Sequence, residues 1–176
     1  LQTACTQVQR WRDAGQDLYL AVNLSCVQLL DERLPDRLAQ TLAATGLPAD
    51  KLWLEITETT LVQDLDKATR SLHRIRDLGV SMSIDDFGTG WASLTYLRQF
   101  PVNALKIDRL FVTGLGLRTR DAAIAQSIIT LADELGIGVV AEGVETLEQA
   151  AALSAMGCKY AQGFLFGRPA PASHHP

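Results

Sequence analysis

The amino-acid sequence predicts an α/β protein with a parallel sheet, and two observations favour this class. Short apolar runs alternate with helical patterns about six times, at spacings of roughly 20 to 35 residues. Most of these runs are too apolar for a sheet that is wetted on one face, as expected of strands covered by helices. Such alternation gives either a doubly wound sheet or a (β/α)8 barrel. Because a complete barrel typically needs about 250 residues, six units in 176 residues fit a barrel that lacks its first quarter.

Six segments are predicted to be strands because each is a short apolar run, and Gly or Pro precedes several of them. They are Tyr19–Leu24, Leu52–Thr57, Val80–Ile84, Ala104–Ile107, Gly138–Ala141 and Tyr160–Phe166.

Helices are predicted between these runs, where apolar residues recur at helical spacing. Gly79, Gly136 and Gly157 are natural stops for three of them, and Thr146 begins a capping-box pattern. The predicted helical segments are residues 1–11, Leu29–Thr45, Leu65–Leu78, Ser93–Gln99, Ile124–Leu135 and a helix that follows Thr146.

Composition and charge exclude several classes of protein. A net charge of −4 argues against a binder of duplex DNA or RNA, which needs a basic face to neutralise phosphates. No apolar stretch reaches the roughly 18 residues that a membrane-spanning helix needs. The three cysteines, Cys5, Cys26 and Cys158, form no CxxC pair, so we interpret them as reduced thiols of a cytoplasmic protein.

Oxygen-bearing side chains lie at or near the ends of five successive predicted strands. In a parallel barrel the carboxyl ends of the strands converge on one face, where such enzymes keep their active sites. A ring of carboxylates there is costly without cations, because like charges repel in a pocket of low dielectric constant. The residues concerned are Asn23, Glu55, Glu58, Asp85, Asp86, Asp108, Glu142 and Glu145.

This set of donors is typical of a site for hard cations such as Mg²⁺, Mn²⁺ or Ca²⁺, since it contains no His or Cys. The adjacent carboxylates of Asp85 and Asp86 could serve two metals, an arrangement that stabilises both the attacking and the leaving oxygen of a phosphodiester. Lys106 is the cation placed to orient the attacking water or to balance charge on the phosphate.

Each carboxylate taken alone is more often a helix N-cap or a solvated surface group, and recurrence on successive strands is what favours a shared site. Glu58 and Glu145 each follow another glutamate by three residues, so either could be a cap or a supporting group. The Gly-Thr-Gly that ends IDDFGTG permits a tight loop but is by itself a weak signal of phosphate binding.

The chain resembles the EAL domain family, the cyclic-di-GMP-specific phosphodiesterases of bacteria, from about Leu1 to Pro171. We therefore expect residues 1–171 to form a partial EAL domain and residues 172–176 to be a disordered tail. The likeness rests on VNLS (22–25), LEITE (54–58), IDDFGTG (84–90), LTYLRQFPVNALKID (94–108), VVAEGVET (139–146) and YAQGFLFGRP (160–169).

The resemblance implies a TIM-like (β/α)8 barrel with one antiparallel strand, incomplete in this chain. It implies hydrolysis of cyclic-di-GMP to linear pGpG with Mg²⁺ or Mn²⁺, and inhibition by Ca²⁺. By motif, Lys106 resembles the lysine that positions the nucleophilic water, and Glu58 the glutamate that holds the DDFGTG loop. Glu142 resembles a catalytic metal ligand, and Gln162, Asp108 and Glu145 resemble residues that line the substrate side. The residues that resemble metal ligands are Asn23, Glu55, Asp85, Asp86 and Glu142.

The Glu-Ala-Leu signature that names the family is absent from the 176 residues. We expect it in an upstream segment, together with the first two strands. Its glutamate is a metal ligand in the family, so we expect weak or no hydrolysis from this chain alone. We also expect open sheet edges to make the fragment marginally stable or prone to associate.

Two other functions stay open from the sequence: a non-catalytic module that binds cyclic-di-GMP or a partner protein, and a different metal-dependent barrel that acts on phosphoesters. The identity of the upstream signature residue would separate the first of these from an enzyme. The resemblance also implies sensory or cyclase-like domains upstream and a homodimer formed through helices near the DDFGTG loop.

Overall fold

The computed structural model describes residues 1–61, 64–89, 97–115 and 119–172. These residues contain six strands, which lie in the sheet in chain order from β1 to β6. The pairs β1–β2, β4–β5 and β5–β6 are parallel. The predicted α/β class with a parallel sheet is confirmed, because helices connect strands that run in the same direction.

The chain divides into two compact units. The first contains Leu1–Ser83 and a segment that ends at Val102, and the second begins at Ile84, within β3, and resumes at Asn103. The elements of the first unit are α1 (Gln2–Asp13), β1 (Leu20–Asn23), α2 (Cys26–Leu29), α3 (Leu34–Thr45), a 3-10 turn (Ala49–Lys51), β2 (Leu52–Thr57), α4 (Glu58–Leu61), α5 (Leu65–Asp77) and the start of β3 (Ser81–Phe87). Those of the second are the rest of β3, then β4 (Ala104–Ile107), α6 (Arg109–Thr113), α7 (Thr119–Leu135), β5 (Gly138–Ala141), α8 (Leu147–Ala155) and β6 (Tyr160–Ala161).

The core of the first unit includes fully buried residues of both β2 and α5. Leu54 and Ile56 alternate along β2 with half-buried residues, so one face of this strand is fully covered. Leu72 and Ile75 are three residues apart on α5 and are both fully buried. In the second unit all four residues of β4 are buried, as expected of a strand covered on both faces.

The long helix predicted over Leu29–Thr45 is wrong, because the structure has two helices there. The side chain of Ser25 accepts a hydrogen bond from the backbone N–H of Gln28, and Gln28 bonds back to Ser25, so a helix begins already at Cys26. Pro35 lies in the first turn of α3, a position that tolerates the missing N–H and favours a new helix start.

The last predicted strand, Tyr160–Phe166, is also wrong in length, since β6 ends at Ala161. The next residue, Gln162, accepts a hydrogen bond at its carbonyl from the N–H of Val144, which lies in a loop. Gly163 follows, where a Cβ would collide with the backbone of Val144, so the chain turns instead of continuing the strand.

The other boundaries follow the predictions more closely. Three strands are found as predicted, the first strand is one residue shorter at each end, and the third shifts from Val80–Ile84 to Ser81–Phe87, so that it includes both Asp85 and Asp86. Most of the helix predicted over Ser93–Gln99 and residues 173–176 of the predicted tail lie outside the described residues. Within the described part of the chain, no helix is long and apolar enough to cross a membrane.

A test of the first core compares two leucines that lie on helices. Leu72 is fully buried, so Leu72→Ala should lower the free energy of unfolding by about 2–5 kcal/mol. Leu147 is 73% exposed, so Leu147→Ala should change it by less than about 0.5 kcal/mol. Urea unfolding followed by circular dichroism measures both values. Equal losses in the two variants would contradict the assignment of Leu72 to the core.

Candidate functional site

Three neighbouring strands position the polar cluster of the second unit. Asp85 and Asp86 lie near the carboxyl end of β3, and Lys106 lies near the carboxyl end of β4. Glu142 directly follows β5, where its N–H donates to the carbonyl of Ile107 at 3.0 Å. Parallel strands present their carboxyl ends at the same edge of a sheet, which is why residues from distant parts of the sequence meet here.

Three carboxylates of this cluster lie close together. One oxygen atom from each of Asp85, Asp86 and Glu142 lies within 4.8 Å of the other two, and all three residues are half-buried. Within the described part of the chain, this is the one group of three or more His, Cys, Asp or Glu side chains that meets that distance. We call it the acidic cluster.

Lys106 supplies positive charge to the acidic cluster. Its Nζ lies 2.5 Å from Oε1 of Glu142 and 3.2 Å from Oδ1 of Asp85. The residue is only 3% exposed. A buried ammonium group needs such partners, because an unpaired charge is costly to remove from water.

Gln162 fixes the orientation of Glu142. Its Nε2 donates to the same Oε1 atom of Glu142 at 2.5 Å. The backbone of Gln162 is itself held, because its N–H donates to Ala141 at 2.8 Å and its carbonyl accepts from Val144 at 3.0 Å. An exposed amide side chain is therefore anchored at the edge of the acidic cluster.

Asp86 has an unusual backbone and an unusual acidity. Its φ of 54° lies in the left-handed region, which a short polar side chain tolerates better than most residues do. A hydrogen bond to the carboxyl group of Asp108 raises the pKa of Asp86 to about 6, with burial and the negative charges of Asp85 and Asp108 adding to the effect. Asp108 also caps α6, since its Oδ1 accepts from the N–H of Leu110 at 2.6 Å.

The first unit carries its own pair of oxygen-bearing side chains. Asn23 and Glu55 are register partners at the ends of the parallel strands β1 and β2, so their Cα atoms are neighbours across the strand pair. The N–H of Leu24 donates to the carbonyl of Glu55 at 2.8 Å and extends this pairing by one residue. Glu58 begins α4 immediately after β2 and is only 4% exposed.

Most of the predicted site residues of the second unit lie together, and one does not. Asp85, Asp86, Lys106, Glu142 and Gln162 form one connected group, and Asp108 joins it through Asp86. Glu145 is exposed in the turn before α8 and is not a member of the acidic cluster.

Sequence reasoning missed two features of this group. It did not anticipate the hydrogen bond between Asp86 and Asp108, because Asp86 lies on β3 whereas Asp108 follows β4, and no local spacing indicates that they meet. It also did not select Gly143, whose φ is 66° and whose Cβ, if present, would lie 2.5 Å from Cβ of Arg109. The Glu-Gly-Val-Glu pattern was the available signal, since a glycine directly after a strand end marks a tight turn.

The acidic cluster fits a divalent metal by the chemistry of its donors. It offers carboxylate oxygens without thiolate or imidazole groups, which is the donor set preferred by Mg²⁺, Mn²⁺ and Ca²⁺. Asp85 and Glu142 also contact Lys106, whose ammonium group balances part of the negative charge of the acidic cluster.

Comparison with known proteins identifies the family. The sequence profile of the EAL domain matches residues 1–169, so the chain belongs to the EAL domain family. It is 45% identical over 172 residues to the cyclic di-GMP phosphodiesterase NbdA of Pseudomonas aeruginosa, covering 97% of this chain and 22% of NbdA. It is 44% identical over 173 residues to the bifunctional diguanylate cyclase/cyclic di-GMP phosphodiesterase MucR of the same bacterium, covering 98% of this chain and 25% of MucR. The chain thus spans less than a third of the length of the curated relatives that it matches.

Solved structures agree with this assignment. The MucR phosphodiesterase in complex with c-di-GMP matches with a TM-score of 0.93 and 43% identity, over 98% of this chain and 70% of that one. The manganese/c-di-GMP complex of BlrP1 from Klebsiella pneumoniae matches with a TM-score of 0.87 and 34% identity, over 96% of this chain and 43% of that one. A structure of BlrP1 in complex with calcium and c-di-GMP also matches this chain. The predicted fold class, an incomplete TIM-like barrel of the EAL type, is confirmed by these matches.

The role of Lys106 as a counter-ion can be tested by metal binding. Lys106→Met removes a positive charge that contacts two carboxylates, so the affinity of the chain for Mn²⁺ should rise by about threefold or more. Isothermal titration calorimetry in the absence of substrate measures the affinity for Mn²⁺. Lys159→Met, which removes an exposed lysine of the same unit, should leave the affinity unchanged. A weaker affinity in Lys106→Met would contradict this role.

The raised pKa of Asp86 predicts a pH-dependent stability in the metal-free protein. Between about pH 4 and 6 the folded chain holds this proton more tightly than the unfolded chain does, so rising pH lowers the stability contributed by Asp86. Asp86→Asn removes that effect and keeps a residue that tolerates the left-handed region. The melting temperature of Asp86→Asn should therefore exceed that of wild type by more at pH 7.5 than at pH 4.

Melting in EDTA at several pH values measures this difference, because EDTA keeps divalent ions off the carboxylates. Asp50→Asn, which removes an exposed carboxylate in the 3-10 turn, is the matched control. A pH-independent difference between Asp86→Asn and wild type would show that Asp86 does not titrate differently in the folded chain.

Proposed function

We propose that this chain is the greater part of the catalytic domain of a cyclic-di-GMP phosphodiesterase. In the proposed reaction, water attacks one phosphorus atom of cyclic-di-GMP and one P–O3′ bond breaks. The proton from water ends on the leaving 3′ oxygen, and the product is linear pGpG with a 5′-phosphate. The observation that carries the proposal is the acidic cluster with its buried Lys106, in a chain of the EAL family.

The proposed metals are Mg²⁺ or Mn²⁺, with Ca²⁺ as an inhibitor. The all-oxygen acidic cluster and the manganese and calcium complexes of BlrP1 support a divalent cation. We infer that Asp85, Asp86 and Glu142 act as ligands, and that Asn23 and Glu55 also supply metal ligands, as their family motifs imply. When bound, a pair of such ions stabilises negative charge on the attacking and leaving oxygens of the phosphodiester.

Lys106 is proposed to hold the attacking water and to balance charge that develops on the phosphate. Its Nζ lies among carboxylate oxygens at 2.5 and 3.2 Å, so it is fixed in place before substrate arrives. A preorganised donor costs no reorganisation during the reaction, which is the source of its catalytic effect. Burial strengthens the effect because few water molecules compete for the ammonium group.

Glu142 and Gln162 are proposed to act as a pair. Because Gln162 and Lys106 both donate to Oε1 of Glu142, the carboxylate is held in one orientation. The amide of Gln162 is exposed beside it and is placed to contact substrate or water.

The remaining residues are proposed to support the site. Asp108 pairs with Asp86 and caps α6, so it holds the end of β3 near β4, in addition to any contact with substrate. Glu58 is buried at the start of α4, which is consistent with a role in holding a loop. Glu145 is exposed and available to substrate.

We also propose that the chain works as one module of a longer cytoplasmic protein with sensory or cyclase-like domains upstream. Its relatives NbdA and MucR are several times longer than this chain, which supports that view. A homodimer of such proteins is part of the same proposal.

Hydrolysis and binding of cyclic-di-GMP should be measured together on the 176-residue chain. We expect only weak formation of pGpG, followed by chromatography, with Mn²⁺ or Mg²⁺ and none in EDTA, because the Glu-Ala-Leu glutamate is absent from the 176 residues. Removing the charge of a ligand without changing its size, as in Glu142→Gln, should lower the rate by about a hundredfold or more. Glu134→Gln, on the exposed side of α7, is the control and should keep the wild-type rate.

Binding separates the outcomes of this experiment. Metal-dependent binding of cyclic-di-GMP without turnover, both in this chain and in a longer one that carries an intact Glu-Ala-Leu segment, would replace the enzyme by a non-catalytic binding module. Neither binding nor turnover, in a chain whose circular dichroism shows that it is folded, would overturn the proposed function of these residues.

A further inference from the structure

A small groove lies between α2 and α5 in the first unit, and it shares no residue with the acidic cluster. Its volume is about 160 Å³, which is enough for several water molecules or one oxyanion. Leu29 and Leu30 line it from α2 and its C-cap, Glu32 lies at its rim, and four residues of α5 form the other wall. We call it the α2–α5 groove.

The four residues of α5 form a single stripe. Lys67, Arg70, Ser71 and Arg74 are spaced at i, i+3, i+4 and i+7, so all four lie on one side of the helix. Three of them are cations. Like charges at this spacing destabilise a helix by themselves, so the stripe is not explained by helix stability.

The three cations differ in how far other groups neutralise them. Arg74 is oriented by the carbonyl of Glu32 at 2.8 Å and by Oδ1 of Asp36 at 2.9 Å. Lys67 has a loose ion pair, with its Nζ 3.7 Å from Oδ2 of Asp64. Arg70 has no hydrogen bond or ion pair with the described residues. Against these three charges the groove itself carries one carboxylate, that of Glu32.

Ser71 is the second, independent observation. It is only 7% exposed, and its Oγ has no hydrogen-bond partner among the described residues. Hydroxyl groups elsewhere in the helices bond to the carbonyl four residues earlier, as Ser127 does to Ala123 and Thr41 to Arg37, both at 2.8 Å. A buried hydroxyl without a partner is costly, so a group in the groove that bonds to it would stabilise the fold.

We propose that the α2–α5 groove binds a phosphate group, either as inorganic phosphate or as the phosphomonoester end of a nucleotide. The planar guanidinium of Arg70, which has no partner among the described residues, can make paired hydrogen bonds to phosphate oxygens. Lys67 adds a second charge, and the hydroxyl of Ser71 donates to a third oxygen. This site shares no residue with the acidic cluster, so it does not depend on the proposed phosphodiesterase function.

The test uses the full chain in EDTA, so that no divalent ion brings phosphate to the acidic cluster. Inorganic phosphate, AMP and adenosine are titrated separately at constant ionic strength with chloride. Binding is followed through the amide signal of Ser71 and the Nε signal of Arg70 in two-dimensional NMR. We expect saturable shifts with phosphate and AMP and none with adenosine. Tighter binding of AMP would assign the site to nucleotides, and equal binding would assign it to phosphate itself.

Two variants of α5 with the same change in charge make the test specific. Arg70→Gln should weaken phosphate binding about tenfold or more, because it removes a charge-assisted contact. Arg76→Gln lies on the same helix, removes a cation that pairs with Asp77 and does not line the groove, so it should change the affinity by less than about twofold. Equal losses in both variants would mean general charge attraction and would overturn the proposal, as would the absence of saturable binding.

Ser71→Ala provides a test that leaves the charge unchanged. If the hydroxyl binds phosphate, this variant should bind it several-fold more weakly, while its melting temperature without phosphate should rise because a buried unpaired group is gone. Unchanged phosphate affinity in a folded Ser71→Ala would remove the hydroxyl from the site and refute the proposed arrangement.

Discussion

The repulsion among three neighbouring carboxylates is the constraint around which the second unit is organised. Asp85, Asp86 and Glu142 lie within 4.8 Å of one another, and such a group is stable only with compensating positive charge or bound protons. The chain supplies both. Lys106 is buried against two of the carboxylates, and Asp86 retains a proton to about pH 6 through its hydrogen bond with Asp108. A divalent ion would answer the same constraint, which is why this arrangement suits a metal-dependent function.

The backbone around the acidic cluster is shaped to hold it. Asp86 adopts a left-handed conformation, and Gly143 permits the turn that follows Glu142. Gln162 leaves the end of β6, is held by backbone hydrogen bonds on both sides, and reaches back to Glu142. The local departures from regular structure therefore occur where side chains are positioned for chemistry, as is common at functional sites.

The two units concentrate charges of opposite sign. The acidic cluster concentrates negative charge around one buried lysine, whereas the stripe on α5 concentrates positive charge beside one buried hydroxyl, that of Ser71. Both arrangements cost stability in the chain alone, and both are relieved by a ligand of opposite charge. For the acidic cluster, membership of the EAL family and the metal complexes of BlrP1 support the same conclusion from outside the chain.

The sequence by itself determined the parallel α/β class and the family, because apolar runs and motif order are local properties that survive without coordinates. It also indicated which residues are candidates for metal binding, since oxygen-bearing side chains recur at the ends of five successive predicted strands. Tertiary structure decided which of them meet. The hydrogen bond between Asp86 and Asp108, the burial of Lys106 and the end of β6 at Ala161 all depend on pairing between distant segments. Such pairing sets distances and dielectric environment, and neither is encoded in the spacing of residues along one strand.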